Sequence, residues 1–147
     1  MDITGEYRIA LGREAVWKAL NDPEVLGACI PGCEVIERVS DTQFNAKVVA
    51  KVGPVKAGFD TEVTLSDLNP PASYTLTGEG KGGAAGFARG SAEVQLEQDG
   101  DETILRYTAR IQPGGKLAQV GSRLIGGTAR KLGEQFFSKF AERMAAE

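Results

Sequence analysis

Ile3, Gly5, Tyr7, Ile9 and Leu11 alternate with Asp2, Thr4, Glu6 and Arg8, the two-residue period of a strand with one face buried. Gly12 breaks this run. Arg13 to Asn21 then reads as a short helix that turns Val16, Ala19 and Leu20 inward. Pro23 either ends that helix or starts a second one over Glu24 to Ala28, closed by Pro31-Gly32. From Glu34 to Gln112 one strand follows another. Phe44, Ala46, Val48, Ala50 and Val52 share a face, as do Val55, Ala57, Phe59, Thr61, Val63 and Leu65 beyond the Gly53-Pro54 turn. After Asn69-Pro70-Pro71 come Tyr74, Leu76 and Gly78, then Gly90, Ala92, Val94 and Leu96. Asp99-Gly100 is a hairpin signal, and Leu105, Tyr107, Ala109 and Ile111 form the last alternating set before Pro113-Gly114-Gly115.

The period then changes. Leu117, Val120, Leu124, Ile125, Ala129, Leu132, Phe136, Phe140 and Met144 recur at spacings of three and four, which predicts one long helix from Lys116 to about Met144. Gly121, Gly126, Gly127 and Gly133 lie within it, each costing roughly 1 kcal/mol relative to Ala in a helix interior. The stripe drifts between its early and late members, so a kink or break is expected at Gly126-Gly127.

The predicted order is β-α-α-β-β-β-β-β-β-α, an α+β fold. An antiparallel meander with one apolar face needs a cover, and the closing helix is the element long enough to provide it. The expected architecture is a curved antiparallel sheet wrapped around one C-terminal helix, with two short helices plugging an end. No linker, internal repeat or low-complexity tract divides residues 1–147, so a single domain is expected.

Strand parity turns Tyr7, Phe44, Phe59, Thr61, Tyr74 and Tyr107 toward the space under the helix, among small residues such as Gly5, Ala46, Ala50, Gly78, Gly90, Ala92 and Ala109. The helix offers Gly121, Thr128 and Ala129 in return. Large side chains facing small ones either interlock into a dry core or leave an apolar cavity in which a few hydroxyls orient a small molecule. Under the second reading the ligand-binding residues are Tyr7, Phe44, Phe59, Tyr74, Tyr107, Leu124, Thr128 and Leu132.

Composition narrows the chemistry. The chain has 17 Lys and Arg against 20 Asp and Glu, a net charge of −3, which argues against a general nucleic-acid binder. The closing helix is more basic than this average. Lys116, Arg123 and Arg130 are seven apart, so on one helix they share a face: a solvated surface, or a contact for anionic lipid or an acidic partner. There is no histidine, which removes the usual general base and the usual metal ligand together. Cys29 and Cys33 lack a third soft ligand and read as structural thiols rather than a metal site. The glycines from Gly78 to Gly90 lie within and between strands, not at the strand-to-helix turn of a dinucleotide site. Asp60, Glu62, Glu93 and Glu97 fall on outward parity, leaving no paired carboxylates inside. No catalytic residue, metal or dedicated cofactor is therefore expected. The N-terminus carries no targeting signal and no apolar stretch approaches 18 residues; the expected location is the cytoplasm.

Asp22-Pro23-Glu24, Ile30-Pro31-Gly32-Cys33-Glu34, Val52-Gly53-Pro54-Val55, Gly80-Lys81-Gly82-Gly83, Gly115-Lys116-Leu117-Ala118-Gln119-Val120-Gly121 and Phe136-Phe137-x-x-Phe140 resemble the CoxG family of carbon monoxide dehydrogenase proteins. That family falls within the helix-grip superfamily of START, Bet v 1 and polyketide-cyclase-like proteins. The resemblance implies a non-enzymatic accessory protein of a carbon monoxide dehydrogenase or related molybdenum hydroxylase. It also implies an apolar ligand, a quinone or lipid, held under the helix. Family members that reach the membrane do so through a C-terminal extension; this sequence ends at Glu147, directly after the predicted helix, so no anchor is expected in it, and membrane contact stays one of the readings of the basic face. Two alternatives stand beside this reading: a cyclase- or hydratase-type enzyme of the same superfamily, and an assembly factor that carries no ligand.

Overall fold

The structure, a computed structural model, describes residues 2–146. Strand β1 (Asp2–Ile9) is followed by helices α1 (Arg13–Leu20) and α2 (Pro23–Cys29). Six strands come next: β2 (Cys33–Ser40), β3 (Gln43–Val52), β4 (Val55–Asn69), β5 (Ser73–Lys81), β6 (Phe87–Asp99) and β7 (Glu102–Gly114). Helix α3 (Ser122–Ala145) closes the chain. The expected order of elements is present, with two short 3-10 helices added at Gly83–Ala85 and Gly115–Val120. Pro23 starts α2 at its first position, with the Asp22 side chain accepting from the Glu24 N–H at 3.0 Å. This is the preferred opening for a helix, and an Asp in that place contributes about 1 kcal/mol.

The seven strands form one antiparallel sheet in the order β1-β7-β6-β5-β4-β3-β2. The register sets the inward residues in facing pairs: Phe44 opposite Val63, Gly78 opposite Gly90, Ala92 opposite Ala109, and Val94 opposite Tyr107. Helix α3 makes its close backbone approaches to β1, α2 and β3 rather than to the central strands. It therefore bridges the two sides of the curved sheet and leaves room above the middle.

The core is densest at the α1–α2 end, where Val16, Ile9, Leu105, Phe140 and Met144 are almost wholly buried. Burying a side chain such as Phe140 contributes about 1.5–3 kcal/mol. Thr103, also fully buried, is satisfied by donating to the Leu11 carbonyl at 2.7 Å. The chain that leaves β1 for α1 is thereby tied to β7.

The closing segment differs from the expectation in one respect. Helix α3 starts at Ser122, and Lys116 to Val120 belong to the 3-10 helix before it. The break sits at Gly121, whose φ of +94° suits a residue without Cβ. The helix runs unbroken through Gly126-Gly127. Residues at three- and four-residue spacing thus continue through a junction that rotates the backbone, and the drift of the apolar stripe comes from that junction.

Candidate functional site

Two apolar chambers lie between the sheet and α3. The inner one, about 410 Å³, is bordered by Phe44, Tyr74, Val94, Tyr107, Phe136 and Phe137 near the α1–α2 end. The outer one, about 440 Å³ and more open, is bordered by Ala50, Phe59, Leu117, Ile125, Thr128 and Leu132. Both touch Val48, Thr61, Val63, Leu76, Ala92, Ala109, Ile111 and Ala129, so they are two lobes of one space. Each lies in the size range of small-molecule pockets.

Small residues on the sheet make this room. Ala92 and Ala109 face each other directly, and Gly78 faces Gly90; none of the four puts more than a methyl group into the space. Larger side chains wall the ends. Phe44 lies under the Arg38 guanidinium, 4.7 Å from the ring centre. Arg38 also donates to the Asn21 carbonyl at the end of α1. Tyr74 meets Trp17 edge-on at 5.1 Å. Tyr107 stacks on Phe137 at 5.4 Å, and its hydroxyl lies where only a glycine, Gly133, leaves space on the helix.

Six of the eight expected ligand residues border the space: Phe44, Tyr74 and Tyr107 the inner lobe, Phe59, Thr128 and Leu132 the outer lobe. Tyr7 stands beside it, stacked on Phe137 at 4.5 Å and on Tyr107 at 6.4 Å. Leu124 lies outside it. This side chain keeps 47% of its surface exposed and sits against Gly53 in the β3–β4 turn, because α3 begins after Gly121 and the phase shared with Leu117 and Val120 is lost. Gly121, expected opposite the sheet, borders neither lobe. The same break separates Lys116 from Arg123 and Arg130, which alone share α3. Phe137 is a contributor that the stripe of spacings did not include, and Ile125, a member of the stripe, was not among the expected ligand residues.

Polar groups in the space are few. Thr61 donates its hydroxyl to the Phe59 carbonyl at 3.3 Å. Burial pushes the Tyr74 phenol far above its ordinary range. Burial also raises the Tyr107 phenol, with Tyr7 and Glu134 acting in the same direction. Glu79, Arg89 and Arg110 touch the outer lobe from strand positions of outward parity. The Arg89–Glu79 pair closes at 2.8 Å, and its hydrogen bond holds the Glu79 carboxyl below the usual range. Cys29 and Cys33 are free thiols, both raised chiefly by burial. The arrangement can enclose an uncharged apolar molecule and offer it a phenol.

The family model for CoxG of carbon monoxide dehydrogenase matches residues 5–145. The chain belongs to the CoxG family. No curated protein matches the sequence. Among solved structures, a conserved protein from Geobacillus kaustophilus is 31% identical, with a TM-score of 0.92 over 99% of this chain and 96% of its own. A START superfamily protein from Mycobacterium smegmatis (12% identity, TM-score 0.75, 99% and 97% covered) and the ZhuI aromatase/cyclase from Streptomyces sp. R1128 (14%, 0.72, 99% and 93%) share the fold. This CoxG family member thus has the START-like helix-grip architecture that its strand pattern predicts. Among its described residues, no helix is long and apolar enough to cross a membrane.

Proposed function

We propose that this CoxG family member is a non-catalytic carrier serving a carbon monoxide dehydrogenase or related molybdenum hydroxylase. It holds an uncharged hydrophobic molecule, a quinone or a lipid, between sheet and helix. The observation that carries the reading is the two-lobed apolar space, built by small residues facing each other across β5, β6 and β7. An assembly factor with no ligand has no use for a core hollowed in this way. A cyclase-type enzyme, the activity named for the Streptomyces neighbour, would need an acid or an arginine beside the enclosed substrate. Glu79, Arg89 and Arg110 reach the space only at the open outer lobe, from outward strand positions, and the described residues around the inner lobe include no charged side chain. The carrier takes up and releases its cargo at an anionic bilayer, through the outer lobe.

Solvent extraction and native mass spectrometry of the purified protein test the reading. The wild-type protein retains a neutral apolar compound. Ala109→Leu, which puts a larger side chain where the two lobes meet, releases it while the protein stays folded by circular dichroism. A wild-type protein that holds nothing, and takes up neither menadione nor a fatty alcohol when they are offered, would refute the carrier role.

A further inference from the structure

Tyr74 stands apart from the other polar groups of the inner lobe. It is 6% exposed, its ring edge is fixed against Trp17, and it borders the empty volume. Thr61 has spent its hydroxyl proton on the Phe59 carbonyl, and Tyr107 has Tyr7 beside it. The Tyr74 hydroxyl makes no hydrogen bond to any other described residue, in surroundings that are otherwise aliphatic and aromatic. Among the described residues the fully enclosed side-chain atom left without a partner is Asn45 Oδ1; the Tyr74 oxygen, unpartnered as well, keeps some open surface, and a donor at a cavity wall is free to meet a molecule that enters it. A buried phenol also keeps its proton throughout the neutral range, so it is available as a donor.

We propose that Tyr74 is the polar anchor of the cavity. It donates to a carbonyl or ether oxygen of an uncharged ligand. That oxygen enters the inner lobe first, and the apolar remainder extends past Ala92 and Ala109 into the outer lobe. The absence of charged side chains around the inner lobe excludes an ionised head group there, since a buried charge without a counter-ion is strongly disfavoured. The assignment rests on the carrier reading above and adds to it an orientation and a chemical class: a neutral hydrogen-bond acceptor at the leading end.

A matched pair of probes separates the two ideas. Fluorenone and fluorene have nearly the same shape and differ in one carbonyl. Each is titrated by calorimetry into the wild-type protein, Tyr74→Phe and, as a control, Tyr107→Phe. Tyr74→Phe should weaken fluorenone roughly three- to tenfold, the range of one net hydrogen bond, and leave fluorene within twofold; Tyr107→Phe should discriminate less between the probes. Equal effects of Tyr74→Phe on both probes, or none on either, would overturn the anchor and leave the cavity reading intact. If neither probe binds the wild-type protein, the carrier reading fails and the anchor with it.

Discussion

Tyr107 depends on residues that have no side chain. Its ring lies over Gly5, directly opposite it on β1, where an added methyl would overlap the ring. Its hydroxyl lies about 3.0 Å from where a methyl at Gly133 would stand. Gly127, also in α3, is exposed and has open space around it. Gly127 and Gly5 therefore predict opposite outcomes. Gly127→Ala should stabilise the protein by up to about 1 kcal/mol, because Ala is the better helix former. Gly5→Ala should destabilise it by roughly 1–3 kcal/mol through overpacking. Urea denaturation reads both, and a Gly5→Ala protein as stable as wild type would show that the ring is free to move. Parity alone turned Tyr107 and Tyr74 inward, because alternation is local to a strand. The need for Gly5 was hidden, because it arises from the register between β1 and β7, which are nearly a hundred residues apart.

At the level of elements, α3 is two unequal halves. Its last turns carry Phe136 and Phe140, stacked at 5.8 Å, with Phe140 and Met144 deep in the main core. Its first turns cover the outer lobe. Gly121 gives them no side-chain cap, and no acidic residue faces the helix dipole there. Local opening follows such differences in packing. Hydrogen exchange should therefore be faster at the amides of 125–132 than at those of 134–144, and a bound apolar ligand should narrow the gap. Uniform protection along α3 would contradict the hollow beneath its first half. The sequence pattern registered the change of phase in this segment but located it wrongly. Over one or two turns, 3-10 and α spacings bring the same residues to one side, so Leu117 and Val120 read as helix. What decides the break is the positive φ at Gly121, one of several glycines that composition cannot tell apart. Leu124 was misplaced for the same reason.

Over the whole molecule, charge is separated to a degree that the net value of −3 conceals. Residues 50–59, 80–92 and 112–133 contain Lys51, Lys56, Lys81, Arg89, Lys116, Arg123, Arg130 and Lys131 and no acidic residue, which leaves the rest of the chain at −11. The sequence shows the three runs, but only the fold brings them together. The 3-10 helix at Gly115–Val120 packs against the one at Gly83–Ala85, β6 and α3, and Leu124 of α3 rests on the β3–β4 turn. This is the end at which the more open outer lobe lies. Lys51, Lys56, Lys116, Arg123, Arg130 and Lys131 are exposed and form no ion pair among the described residues. Lys51 and Lys56 even face each other across the hairpin, an arrangement that costs stability and so is not explained by folding. Near an anionic bilayer, each such cation contributes about 1 kcal/mol of attraction, and exposed Leu124 adds an apolar contact. The protein should therefore co-sediment with phosphatidylglycerol vesicles and not with phosphatidylcholine vesicles, and 0.5 M salt should release it, because the Debye length then shrinks to about 4 Å. Lys56→Glu separates function from fold. It replaces a repulsive cross-strand pair with an attractive one, so thermal stability should hold or rise while vesicle binding falls. Binding that is indifferent to lipid charge, or a Lys56→Glu protein that binds as well as wild type, would remove the bilayer from this end of the molecule and leave an acidic protein surface as the partner to seek.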